Sequence, residues 1–117
     1  MLERMRLLLL GLLPLVCASC LAPIEALPLT VTVEASRTTA APQDSITFVV
    51  KAGGSALVGI QAEYGDGASD SFNPSGARTA TVSFLHAYLA KGTYTVTAIV
   101  TDATAGQQKA TVQVRVN

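Results

Sequence analysis

The sequence predicts an all-β fold, an antiparallel sandwich of short strands, preceded by an apolar helical export segment. Residues 1–29 hold eleven leucines and one valine, whereas residues 30–117 hold three leucines, eleven valines and all thirteen threonines. Leucine suits an apolar helix, while valine and threonine suit a pleated strand. Six stretches of the second segment also alternate apolar and polar residues, which is typical of strands with one buried face.

The apolar positions of these six strands are predicted to face a common core. A weaker seventh strand is predicted at residues 69–72, and no stretch after residue 29 shows clear helical periodicity. Turn signals separate the strands at residues 41–44, 53–54, 65–67, 73–76, 92 and 102–106. The predicted inward residues are Leu29, Val31, Val33, Ile46, Phe48, Val50, Ile60, Ala62, Tyr64, Ala80, Val82, Phe84, Tyr94, Val96, Ala98, Val100, Ala110, Val112, Val114 and Val116.

Residues 1–19 have the layout of a secretory signal peptide. Arg4 and Arg6 give a positive start, residues 7–16 form an apolar run, and the small Ala18 and Ser19 follow. A membrane-spanning helix needs about 20 apolar residues, and this run has roughly half that length. We therefore predict an exported protein, with residues 20–29 as a tether and residues 30–117 as the folded domain.

The signal peptide has two candidate processing sites. Cys17-Ala18-Ser19-Cys20 resembles the bacterial lipobox, although Cys17 stands where leucine is usual. The resemblance implies that Cys20 carries fatty acyl chains such as palmitate and anchors an envelope lipoprotein. In a Gram-negative source, Leu21 after the cysteine implies the outer membrane. Cleavage after Ala18 would instead release a secreted or periplasmic protein.

Composition excludes several classes of function. The net charge is zero, and it is near −1 once residues 1–19 are removed, which argues against binding to nucleic acid. The chain has a single histidine, so two histidine ligands to one metal are impossible. Both cysteines precede residue 21, so the domain folds without a disulfide.

Several motifs occur together, in an order and spacing that are more specific than any one of them. They are Tyr64-Gly65-Asp66-Gly67, His86-Ala87-Tyr88, Gly92-Thr93-Tyr94-Thr95-Val96 and Val100-Thr101-Asp102. In this pattern residues 30–117 resemble the PKD (polycystic kidney disease) domain. The resemblance implies a seven-stranded Ig-like sandwich in which these motif residues are structural.

The sequence departs from the family pattern at Ala62, where a tryptophan is usual. The space of that tryptophan must be filled by neighbours, for which Phe48, Phe84 and Ile60 are the candidates. A smaller departure is Ile99, an apolar residue that the alternation predicts to face outward.

Catalysis is not expected of His86, the only imidazole, because it lacks a nucleophile and an orienting carboxylate close in sequence. Ser83 lies three residues away on the same predicted strand and therefore points to the opposite face. We predict that His86 makes a hydrogen bond that fixes the loop before Tyr88. The position of Tyr94 resembles the tyrosine corner of Ig-like folds, whose hydroxyl bonds to backbone upstream.

Two binding functions are considered for the remaining polar and aromatic residues. Asp66, Asp70 and Asp102, together with Glu63, are weak calcium candidates, since some PKD domains bind calcium, although residues 66–70 do not match the calcium-loop consensus. Otherwise these aspartates stabilise turns, and no other cofactor is expected. Phe72 is the one aromatic ring predicted to be exposed, and it would be needed to stack on sugars.

The sequence as a whole predicts a non-catalytic lipoprotein that displays one PKD-like domain at the cell envelope. Its leading function is adhesion or contact with another envelope protein, by surface complementarity or by strand addition at a sheet edge. The alternatives are a polysaccharide-binding module and a calcium-stabilised surface domain. The sequence gives neither the identity of the partner nor the oligomeric state.

Overall fold

The computed structural model describes residues 27–117, so the predicted signal peptide, Cys20 and most of the tether lie outside the described residues. Within that range there is no helix long and apolar enough to span a membrane. Seven strands follow one another: β1 (Thr30–Ala35), β2 (Thr39–Ala40), β3 (Ser45–Glu63), β4 (Ser69–Phe72), β5 (Ala77–Ala87), β6 (Gly92–Asp102) and β7 (Gly106–Val116). The predicted all-β fold is therefore confirmed.

The 19-residue strand β3 belongs to both layers of the sandwich. Its first part, residues 45–53, lies between β1 and β5, and residues 57–63 lie between β4 and β6. β7 pairs with β6 and extends the second layer. All of these pairs are antiparallel, and only the two-residue β2 pairs in parallel, with the end of β7.

The chain reverses direction within β3 at the predicted turn, Gly53-Gly54, although strand pairing continues on both sides of it. Phe48 lies near the start of β3 and Tyr64 just after its end, yet their ring centroids are 5.6 Å apart, so the two parts of β3 lie side by side in the two layers. The reversal also needs a small residue at Gly54, because a Cβ atom added there would lie 2.5 Å from Oδ2 of Asp102. β2 was not predicted, because two residues are too few to show alternation.

The core contains the predicted inward residues, with one exception. All of them are buried or pack against the buried cluster except Ala110, which is partly buried outside it. Tyr88, Leu57, Ala40 and Ala52 are additional core members. At the position of the absent tryptophan, the buried Ala62 lies opposite the buried Ala98 of β6. Two small side chains therefore lie side by side on adjacent strands, in a core that also contains Phe48, Phe84 and Ile60.

Candidate functional site

Five rings from four parts of the chain meet at one end of the sandwich. The Tyr64 ring, just after β3, lies 5.6 Å from the Phe48 ring between centroids and 3.9 Å from the His86 ring, which is parallel to it within 2°. His86 meets Tyr88 edge-on at 4.7 Å, and Tyr88 stacks on Tyr94 at 4.1 Å. Three of the four motifs thus form, with Phe48, one continuous series of ring contacts, which we call the ring stack.

Hydrogen bonds join the ring stack to the turn between β3 and β4. Nε2–H of His86 donates to Oδ2 of Asp66 at 2.7 Å, and the Tyr64 hydroxyl donates to Oδ2 of Asp70 at 2.6 Å. The hydroxyl of the fully buried Tyr88 donates to the Tyr64 carbonyl at 2.8 Å. The predicted hydrogen bond of His86 is present, but it fixes the turn at Asp66 and not the loop before Tyr88. His86 lies on the inward side of β5, and the residue to which it bonds is 20 positions away in the sequence.

Burial and these bonds shift the pKa of three groups in the ring stack. Burial raises the pKa of Tyr64 far above its usual value, and the Asp70 carboxylate adds to the shift. Burial and the charge of Asp66 raise the pKa of Tyr88 in the same direction. For Asp66 itself, partial burial opposes ionisation, but the bonds from His86 and the Ala68 amide outweigh it and hold its pKa below the usual range.

The rest of this end is held by local backbone geometry. Gly65 and Gly67 have φ of 85° and 94°, a region that L-residues avoid, so the Asp66 turn depends on them. The Tyr94 hydroxyl donates to the Ala90 carbonyl at 2.7 Å, four residues upstream. Gly92 has a positive φ and lies beside the Tyr94 ring, and Val96 is fully buried in the core.

Asp102 lies at the opposite end of the sandwich, where the middle of β3 passes from one layer to the other. Its Oδ2 accepts the amides of Ser55 and Ala56 at 2.8 and 2.7 Å. Its Oδ1 accepts the amides of Thr104 and Ala105 and the Thr104 hydroxyl. The backbone bond from Ala56 and those from the Thr104 turn hold the pKa of this buried carboxyl well below its usual value.

The structure does not bring the three calcium candidates together. Leu57 pairs with Asp102 and Ala62 pairs with Asp70, so five positions of β3, roughly 17 Å, separate the two carboxylates. Asp66 is engaged with His86, and within residues 27–117 no group of three potential ligand side chains occurs. Each aspartate instead accepts hydrogen bonds within the domain.

One shallow depression lies in the second layer, where β3 and β6 meet the end of β4. It has a volume of about 290 Å³ and lies among Val58, Gln61, Phe72, Asn73 and Ile99. Phe72 is 45% exposed and Val58 42% exposed, so the predicted exposure of Phe72 is confirmed. Phe72 and Ile99 are separate features of the sequence, and both line this depression.

Comparisons of the chain with models of known protein families and with curated proteins gave no match. Solved structures, by contrast, include several with the same architecture. The PKD domain of an M14-like peptidase from a Thermoplasmatales archaeon superposes with a TM-score of 0.68 at 21% identity, covering 79% of this chain and 98% of that one. The fold is PKD-like.

Two further neighbours have other contexts. The PKD domain of the human VPS10 domain-containing receptor SorCS2 has a TM-score of 0.59 at 22% identity, covering 82% of this chain and 80% of that one. The CARDB domain of the PF1109 protein from Pyrococcus furiosus was solved in complex with di-metal ions. It has a TM-score of 0.61 at 15% identity, covering 81% of this chain and 97% of that one. These structural likenesses establish the Ig-like fold.

Proposed function

We propose that this PKD-like chain is an exported, lipid-anchored envelope protein whose domain acts without catalysis, by contacting another envelope protein. One observation supports a binding role above the others. The carboxylate, imidazole and phenol groups of the motifs are engaged in bonds within the domain, such as Asp66 with His86, Tyr88 with Tyr64, and Asp102 with the Ser55 amide. What the domain offers to partners is therefore its outer surface.

The chemistry around His86 supports the same proposal. Its imidazole pairs with a carboxylate, as in a catalytic dyad, but the ring is covered by Tyr64 on one face and met by Tyr88 at its edge. Ser83, the nearest serine on β5, points away on the exposed face. Within residues 27–117, no serine or threonine hydroxyl bonds to His86 as an activated nucleophile would.

The position at which the chain enters the domain supports display from an anchor. The Leu27 amide donates to Oγ of Ser55 at 3.1 Å, so the chain enters at the end where Asp102 lies. The ring stack lies at the other end of the sandwich, where the start and the end of β3 meet. An anchor on Cys20 would thus place the Asp102 end near the membrane and direct the ring stack outward.

The anchor is tested by metabolic labelling with a clickable fatty acid in the producing bacterium. Wild-type chain is expected to take up label and to partition with membranes, and Cys20→Ser is expected to lose both. Cys17→Ser is the matched control and keeps the label if Cys20 is the acylated residue. Equal labelling of Cys20→Ser and wild type would overturn the anchor.

The binding role is tested by photo-crosslinking in intact cells, with a photoreactive residue placed in turn on each face of the domain. A single envelope protein crosslinked from one face and from no other is the expected result. Crosslinks spread evenly over all faces, with no protein enriched, would contradict the role.

A polysaccharide is the second candidate ligand, and the depression at Phe72 supports it. An exposed ring beside the amides of Gln61 and Asn73 combines a stacking surface with hydrogen-bonding groups. Binding on a glycan array that is lost in Phe72→Ala and retained in Leu85→Ala would support this candidate. Equal binding by both variants would exclude a role for the depression.

A further inference from the structure

One edge of the first layer is formed by β5, which pairs only with β3 among the strands of residues 27–117. Nine consecutive pairs, from Ser45–Ala87 to Gly53–Thr79, join the two strands without a bulge. The opposite edge of β5 is therefore a regular strand that has no pairing partner in the described part of the chain.

The strand register shows which backbone groups face this free edge. In an antiparallel ladder, successive residues direct their N–H and C=O groups to opposite sides. The Ser36 amide donates to the Thr47 carbonyl at 2.8 Å, so the backbone groups of Thr47 point to the β1 side. The N–H and C=O groups of Ile46 and Phe48 therefore point towards β5. Their partners on β5, His86 and Phe84, therefore face β3.

The odd-numbered residues of β5 consequently face the free edge. Within residues 79–86 they are Thr79, Thr81, Ser83 and Leu85. The Tyr88 carbonyl, which accepts the Gln43 amide at 2.7 Å on the β3 side, agrees with this alternation. The free edge thus presents a row of four N–H and four C=O groups in the geometry that another strand needs.

The free edge also lacks the features that usually prevent pairing. Exposed edges are normally interrupted by proline, by a bulge or by charged side chains. Residues 79–87 contain no proline, lysine, arginine, aspartate or glutamate, and Arg78 precedes them. The Leu85 side chain is 64% exposed on the outer face, beside the same edge.

We propose that β5 pairs with β5 of a second copy of this chain, antiparallel, which joins the two three-stranded layers into one six-stranded sheet. Side chains directly opposite each other must lie on the same face, so odd-numbered residues pair with odd-numbered ones. If the two-fold axis passes between the two copies of Val82, Leu85 is covered by Thr79 of the second copy. If it passes between the two copies of Ser83, Leu85 is covered by Thr81.

Charge favours a second copy as the occupant of the edge. Residues 79–87 carry no lysine, arginine, aspartate or glutamate, so pairing of β5 with a second β5 brings no two like charges of these residues together. Self-pairing also satisfies the edge groups on both chains, by about eight hydrogen bonds for the axis at Val82. The inference rests on the proposed binding role and names one partner for it.

The first test is crosslinking of the full chain through a single introduced cysteine, since residues 21–117 contain none. Ser83→Cys is treated with a short bis-maleimide in the membrane fraction, with Gln113→Cys on the exposed face of β7 as the matched control. Ser83→Cys is expected to give a crosslinked dimer, and Gln113→Cys and wild type are expected to give none. Equal dimer in all three would overturn the proposal.

The second test removes edge pairing and leaves the fold intact. Ser83→Pro deletes an N–H that faces the free edge and none that bonds to β3, and Thr81→Lys adds a charge to the same edge. Full-length protein in detergent is compared by light scattering, with Gln113→Lys as control. A dimer that becomes a monomer in Thr81→Lys, with unchanged circular dichroism, supports the proposal even if Ser83→Pro fails to fold.

The outcomes separate this inference from the proposed function. A wild-type monomer that still crosslinks to one envelope protein in cells overturns β5 self-pairing and retains the binding role. A wild-type monomer with no crosslinked partner overturns both.

Discussion

The imidazole of His86 lies flat on the phenol ring of Tyr64, with the ring centroids 3.9 Å apart and the planes within 2°. The same imidazole donates to Asp66 in the turn that directly follows Tyr64. One side chain of β5 therefore holds both the ring and the turn at the end of β3. This arrangement joins the two layers of the sandwich at the end remote from the chain entry.

We expect His86→Ala to lower the free energy of unfolding by about 1–3 kcal/mol, because it removes both the stacking and the hydrogen bond. Asp66→Asn should cost about 1 kcal/mol, since it weakens only the bond. The cost of Asp66→Asn is expected to become small in the His86→Ala background, measured by urea denaturation. Strictly additive costs would show that the two side chains act independently.

Alkaline pH is expected to destabilise the domain through Tyr64 and Tyr88. Both folded pKa values are raised above about 10, so the stabilising effect is complete below pH 10 and is lost as the pH rises further. Absorbance at 295 nm in the Tyr94→Phe variant reports these two residues alone, since the chain has three tyrosines. Their ionisation should coincide with unfolding. Reversible ionisation near pH 10 in a folded domain would contradict this prediction.

The two glycines of the Asp66 turn should differ in their tolerance of alanine. At Gly65 an added Cβ would lie 2.8 Å from the Thr95 carbonyl oxygen, so strain and collision should together cost about 2–4 kcal/mol. Gly67 has no atom within 4 Å of such a Cβ, and its alanine variant should cost only about 1 kcal/mol. Thermal melts of both variants measure the difference, and equal shifts would be the contrary result.

Acid pH is expected to destabilise the domain through Asp102. Its folded pKa lies below the unfolded value, so its contribution is complete above about pH 4 and is lost as the pH falls through the folded pKa. Asp102→Asn should be less stable than wild type at pH 7. Its free energy of unfolding should also fall less than that of wild type when the pH is lowered. Asp70→Asn is the comparison, and an unchanged acid slope in Asp102→Asn would refute the assignment.

Calcium is expected to leave the melting temperature of the domain unchanged, because Asp66, Asp70 and Asp102 bond to different parts of the domain. Differential scanning calorimetry with millimolar calcium and then with EGTA measures this. A rise in melting temperature that is lost in Asp66→Asn would show that calcium binds at the turn after all.

The strands could be predicted from the sequence because alternation is a local property. Thr79, Thr81 and Ser83 alternate with apolar residues that are found in or against the core, and β4 occupies the predicted residues 69–72. The family motifs were equally readable, since each lies within a few residues. Periodicity of this kind reports which face is buried, and the structure agrees almost throughout.

The contacts between motifs could not be predicted, because they depend on how distant segments meet. His86 and Asp66 are 20 residues apart, and Ala56 and Asp102 are 46 apart. Paired glycines usually mark a turn, so the reversal at Gly53-Gly54 could be predicted. The close approach of the Asp102 carboxylate to Gly54 is a long-range contact that no local pattern shows.

The passage of β3 through both layers has a consequence for the way the domain opens. β3 is hydrogen-bonded to β1 and β5 in the first layer and to β4 and β6 in the second, so unfolding of either layer frees half of a strand that the other layer still holds. Opening of one layer alone is therefore disfavoured. Slow amide exchange at Val50 in the first layer and at Ile60 in the second should report a single global opening with one common free energy.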